Sequence, residues 1–116
     1  MEQGKERISP IILTMEDGTE YTLEFNRKTV DFAERRGFKL DDVGDYMMVK
    51  VPELFFYAFM MHHPYITKKQ TDEILFEKLK GINDEVLRRL TELFTQGYDT
   101  LINSGEAKNS NVTITM

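Results

Sequence analysis

The chain has no cysteine, no tryptophan, only three prolines and no apolar run longer than eight residues. Without cysteine there is no disulfide framework and no thiolate zinc site. The redox compartment is therefore not reported by disulfides, and a cytosolic site is compatible. No segment reaches the ~18 apolar residues of a membrane span. The longest run covers only about 12–15 Å as a helix, too short to cross a bilayer. The opening MEQGKERISP is charged and lacks the apolar centre of a signal peptide. Basic charge is also in short supply, with 15 Lys and Arg against 20 Asp and Glu, a net charge of −5 and a pI near 5.0. That balance argues against a nucleic-acid-binding module, which usually shows a basic face. A glycine-rich phosphate loop, a G-x-S-x-G turn and a Ser-His-Asp spacing are all missing, so no enzyme is expected and no cofactor.

What the chain does have is 116 residues, enough for one modest core, with seven methionines and eight phenylalanines. Met is flexible and polarizable, and suits irregular cores and adaptable binding surfaces. IILTMEDGTEYTLEF predicts a β-hairpin over about 11–25. Ile12, Thr14, Thr19, Tyr21, Leu23 and Phe25 favour strands, and Asp17-Gly18 favours a turn because Gly18 accepts positive φ. Tyr21, Leu23 and Phe25 alternate with polar residues, which leaves one apolar face for packing against helices.

Four helices are expected after it, over 27–36, 52–62, 68–79 and 84–102. Asn26 is placed to cap the first and Gly37 to end it, with Val30, Ala33 and Phe32 as its apolar stripe and Phe38 folding back on it. KLDDVGDYMMVK reads as a connector without periodicity. Pro52 opens the second helix at a first-turn position, and Pro64 stops it near His63. Thr67 and Gln70 form a capping box for the third helix, which carries Ile74, Leu75, Phe76 and Leu79 and ends at Gly81. Asn83 caps the last, where Val86, Leu90, Leu93, Phe94, Leu101 and Ile102 recur at helical spacing and Gly97 is a weak point. The fold class is thus α+β, a hairpin followed by four helices in one compact domain over 1–103. A polar tail, 104–116, follows, where Val112 and Ile114 offer a strand to the hairpin.

The stretch LFFYAFMM, Leu54 to Met61, is apolar around the whole helix. Such a helix is normally central core. The alternative is that one face serves a partner, which the pairs Met47-Met48 and Met60-Met61 favour. His62 and His63 point about 100° apart on a regular helix, so they do not share one metal, and no metal site is expected. Their plain reading is a helix C-terminus where imidazolium gains from the dipole. Asp41-Asp42 reads as solvated loop charge. Arg35-Arg36, Lys68-Lys69 and Arg88-Arg89 sit among acids and read as exposed helix faces. By elimination the residues point to a small acidic binding or assembly module.

The order of the hairpin, FNRKTVDFAERRGF, LFFYAF with its following His, and the closing LRRLTEL resembles the tail assembly chaperones of long-tailed, siphovirus-type phages and prophages of Gram-positive bacteria. The resemblance spans roughly Ile11 to Ile102. It implies a protein that binds and solubilises the long helical tape measure protein and helps recruit tail tube subunits in the host cytoplasm. It brings no catalytic residues. Self-association suits a chain that coats a long client through many weak sites. The expected contact residues are Phe55, Phe59, Met60 and Met61, then Phe94 and Leu101. Two rival readings are a head–tail completion subunit and a small phage-encoded inhibitor of a host protein.

Overall fold

The computed structural model describes residues 8–101 and Thr115. Over that span the chain is α+β, a two-stranded antiparallel hairpin followed by four helices. Strand β1 (Ile11–Thr14) pairs with β2 (Glu20–Leu23) in the register Ile11 to Leu23 and Thr14 to Glu20. The connection is a five-residue loop, Met15–Thr19, closed by the Met15 N–H on the Thr19 carbonyl at 2.7 Å. Gly18 adopts φ +91° there, and the Asp17 carboxylate accepts from the Thr19 N–H at 3.0 Å. Leu23 and Phe25 are buried and Tyr21 half-buried, as the alternation required.

Asn26 caps α1 (Arg27–Arg35) by accepting from the Thr29 N–H, while the Thr29 hydroxyl accepts from the Asn26 N–H, both at 2.9 Å. Gly37 (φ +94°) reverses the chain, and the Phe38 N–H returns to the Ala33 carbonyl at 3.1 Å. Val30 and Ala33 face the core, but Phe32 does not. It lies outside, beneath the Arg36 guanidinium at 4.8 Å.

The expected connector before Pro52 is largely helical. A 3-10 turn forms at Leu40–Asp42, and α2 runs from Met47 to Phe59. Pro52 is therefore inside the helix, five residues past its start. The missing N–H would have met the carbonyl of Met48, a residue 84% exposed. At the other end the α-helix stops at Phe59, earlier than expected, although the His63 N–H still reaches the Phe59 carbonyl at 2.8 Å.

Helix α3 (Lys68–Glu73) opens on the Thr67–Gln70 capping box and continues as one π turn, Ile74–Lys78. The wider turn seats both Ile74 and Leu75 inside and leaves Phe76 out. Lys80 (φ +56°) and Gly81 (φ +98°) then turn sharply into α4 (Asp84–Gln96), which Asn83 caps. A 3-10 turn, Gly97–Thr100, replaces the expected continuation of that helix. Ile102, Val112 and Ile114 lie outside the described residues. Arg89 departs from its expected exposed role, being half-buried with its guanidinium donating to the Ser9 carbonyl at 2.6 Å.

Helix α2 is the centre of the molecule, lying against β2, α1, α3 and α4 at once. That placement explains a helix apolar on all sides. Leu54, Phe55, Ala58 and Phe59 join Leu23, Phe25, Leu90, Leu93 and Phe94 in one continuous core. The aromatic rings meet edge to face, Phe55 on Phe59 at 5.1 Å and Phe25 on Phe94 at 5.1 Å. Among the described residues, no helix is long and apolar enough to cross a membrane.

Candidate functional site

Three of the six expected contact residues are core. Phe55, Phe59 and Phe94 are 0% exposed, so in this fold they have no surface to give a partner. The contact role expected of them is corrected accordingly. Phe59 is enclosed by Tyr21 (5.4 Å between ring centres) and Phe55, and Phe94 by Phe25 and Phe38. Met60 and Met61 are half-buried past the end of α2. Leu101, 70% exposed, sits after the 3-10 turn that follows α4.

The two histidines are engaged with the hairpin. The outer edge of β2 is closed by the C-terminal end of α2. The Glu24 N–H donates to the Ala58 carbonyl at 2.9 Å, and the Thr22 N–H donates to Nε2 of His63 at 2.9 Å. His63 must be neutral to accept that bond, which corrects the imidazolium expected at this helix end. Burial, with His62 nearby, holds its pKa below the usual histidine value. His62 Nε2 lies 2.8 Å from a Glu24 carboxylate oxygen. Neither ring nitrogen that makes these contacts is available as a general base. Among the described residues, no group of three His, Asp or Glu side chains converges as a metal site.

Tyr98 ties the last turn to α1 by donating its hydroxyl to Glu34. Burial first, then that hydrogen bond, pushes the Tyr98 hydroxyl up to about 12.

Two concavities lie among the described residues. One, of about 690 Å³, lies between the hairpin loop and α3, lined by Glu16, Asp17, Tyr21, Gln70, Glu73 and Lys78 among others. It is open and mixed in charge. The second, of about 210 Å³, is a groove walled almost wholly by apolar side chains. Met47, Met48 and Val51 come from the first turns of α2, Leu75 and Phe76 from the π turn, Ile82 from the turn before α4 and Leu87 from the start of α4. Met48 is 84% exposed and Phe76 48%, with Met47 and Val49 exposed beside them. Isolated apolar residues on a surface are ordinary, whereas a contiguous set around a concavity marks a binding surface.

A family match covers residues 7–116, almost the whole chain. The chain belongs to the DUF5055 family, a domain of unknown function. Comparison with curated proteins and with solved structures gives no match.

In this DUF5055 chain the groove was only partly visible in the sequence. The pair Met47-Met48 reads as adaptable in the sequence, but inside a stretch without helical period. Phe76 reads with Ile74, Leu75 and Leu79 as apolar helix face. Three consecutive apolar residues do not all face one way on a helix, and that was the signal for an outward Phe76. Ile82 and Leu87 join the groove only because Lys80 and Gly81 turn α4 back beside α2.

Proposed function

We propose that this chain is a tail assembly chaperone of a long-tailed phage or prophage. It holds apolar helical segments of the tape measure protein in the Met47–Leu87 groove, keeps them soluble, and helps recruit tail tube subunits. It acts in the cytoplasm of the bacterial host. The observation that carries the reading is the exposed Met47, Met48, Val49 and Phe76 surface opening onto a 210 Å³ apolar cavity. An amphipathic helix docks in such a groove through side chains at i, i+3 or i+4, and i+7. Unbranched methionines accommodate side chains of different shape, which suits a client with many unlike segments. Burying an exposed Met or Phe contributes about 1.5–3 kcal/mol before the costs of association. One groove therefore binds weakly, and avidity comes from many copies along one client. The net charge of −5 keeps the loaded assembly soluble.

The test is co-expression with the tape measure protein encoded beside it. The wild-type chain should bring that protein into the soluble fraction. Met48→Asp, which places a carboxylate on the groove's rim, should fold normally and abolish the rescue. Equal insolubility of the client with and without the wild-type chain would overturn the reading.

A further inference from the structure

Among the described residues the hairpin has one closed edge, on β2, and one open edge, on β1. On β2, Thr22 and Glu24 turn their N–H groups away from β1, to His63 and Ala58. In an antiparallel ladder, directly opposed residues share that sense. Ile12, opposite Thr22, and Thr14, opposite Glu20, therefore direct their N–H and C=O groups outward from β1. Among the described residues nothing bonds these four groups. Ile12 is 53% exposed, and the core-facing Ile11 and Leu13 are only half-covered. Pro10, one pair further along, offers no N–H, so an incoming strand centres on Ile12 and Thr14.

We propose that this edge is a strand-acceptor site, and that its occupant is the C-terminal segment of the same chain, Asn111–Thr115. Three observations select that occupant over a foreign strand. The first is position. The end of α4 lies beside the start of β1, since Gln96 Oε1 accepts from the Ile8 N–H at 2.6 Å and Arg89 bonds the Ser9 carbonyl. Leu101 follows Gln96 by five residues, so at most about 18 Å of chain separates it from the residue that holds Ile8. The second is length. The nine residues Ile102–Ser110 reach up to about 30 Å when extended, more than twice the length of a four-residue strand. The third is pattern. NVTIT alternates β-branched Val112 and Ile114 with Asn111, Thr113 and Thr115, and it contains no glycine or proline. In the acceptor register Val112 and Ile114 sit on the core side and cover the remaining surface of Ile11 and Leu13. The three polar residues fall on the outer face with Ile12 and Thr14. The segment thereby satisfies four backbone groups and removes the edge from pairing with other chains.

Amide hydrogen exchange by NMR on the full chain tests this. In the wild type the Ile12 and Thr14 amides should be protected on the order of 100-fold relative to an unpaired edge. The double substitution T113P/I114P removes N–H donors of both orientations. It should abolish that protection and leave the Leu13, Tyr21 and Leu23 amides, which bond within the hairpin, nearly unchanged. Free exchange of Ile12 and Thr14 in the wild type would overturn the proposal, as would protection that survives the double substitution. Protection that disappears on dilution would place another copy on the edge and overturn it equally.

Discussion

Replacing Gly97 with alanine sets two effects of opposite sign against each other. Gly97 has φ −62°, which any residue adopts, so backbone strain does not enter. Helix propensity alone favours Gly97→Ala by about 0.5–1 kcal/mol, mostly through the unfolded chain. The structure opposes it. A Cβ at position 97 would lie 2.5 Å from Val30 Cγ2 and 3.3 Å from the Asn26 carbonyl oxygen. Val30 is buried, and a β-branched side chain on a helix has essentially one rotamer, so its methyl does not swing aside. Asn26 is held in place as the cap of α1, and its carbonyl accepts from the Val30 N–H at 3.0 Å. The 3-10 turn and α1 must separate instead. Overpacking of this kind costs about 1–3 kcal/mol, which outweighs the propensity gain. The net expectation is a loss of about 0.5–2 kcal/mol, or several degrees in Tm for a domain of this size. Urea unfolding followed by helical circular dichroism should show a lower midpoint at an unchanged slope. In a Val30→Ala background the same substitution should become neutral or stabilising, a coupling that a double-mutant cycle measures directly. A raised midpoint for Gly97→Ala, or an identical cost in both backgrounds, would refute the argument from close approach.

Other substitutions separate core from surface. Phe59→Ala should cost about 3–5 kcal/mol, and Phe59→Asp should leave the chain unfolded by circular dichroism; a folded Phe59→Asp variant would contradict its enclosure by Tyr21 and Phe55. Asn26→Ala should lower stability by about 1 kcal/mol and Asn26→Asp by much less, read as shifts in the urea midpoint, because only the first loses the acceptor for the Thr29 N–H. His63 has a pKa depressed by folding, so its contribution to stability is complete above its unfolded value, near 6.5. It is lost as pH falls through that value towards the lower folded one. Urea midpoints measured from pH 8 to pH 5 should therefore fall more steeply for the wild type than for His63→Gln, whose amide oxygen accepts from Thr22 at any pH. Parallel slopes would show that the bond does not govern the acid response.

Local chemistry carried much of the fold into the sequence. Asn26, Gly37, Thr67 with Gln70, and Asn83 acted as expected, because a cap depends on residues within three or four positions of itself. Gly18 marked the hairpin for the same reason. Readings failed where a distant partner decided the outcome. The connector before Pro52 became helix because α2 packs on four elements at once, and that burial outweighs one missing hydrogen bond at an exposed turn. Phe32 and Phe76 share the composition of core residues, but a cation and a π turn respectively left them outside. The candidate site was the least legible part. Three of its expected residues, Phe55, Phe59 and Phe94, proved to be interior, because hydrophobicity alone does not distinguish a residue that meets its own chain from one that meets another. His63 looked like a helix-end cation and is instead an acceptor for a strand forty-one residues earlier.

The sequence by itself determined the order of the hairpin and the four helices, the caps of three of them and the single apolar segment around which they assemble. Each of these follows from near-neighbour sterics and hydrogen bonding, or from hydrophobic period. Only the tertiary structure decided which apolar residues were left over. Leu54 to Phe59 are consumed by packing, while Met47, Met48 and Phe76 remain outside because the turn at Lys80 and Gly81 sets α4 beside them without covering them. Surface is what remains after every element has found its neighbours, and that remainder depends on all contacts jointly.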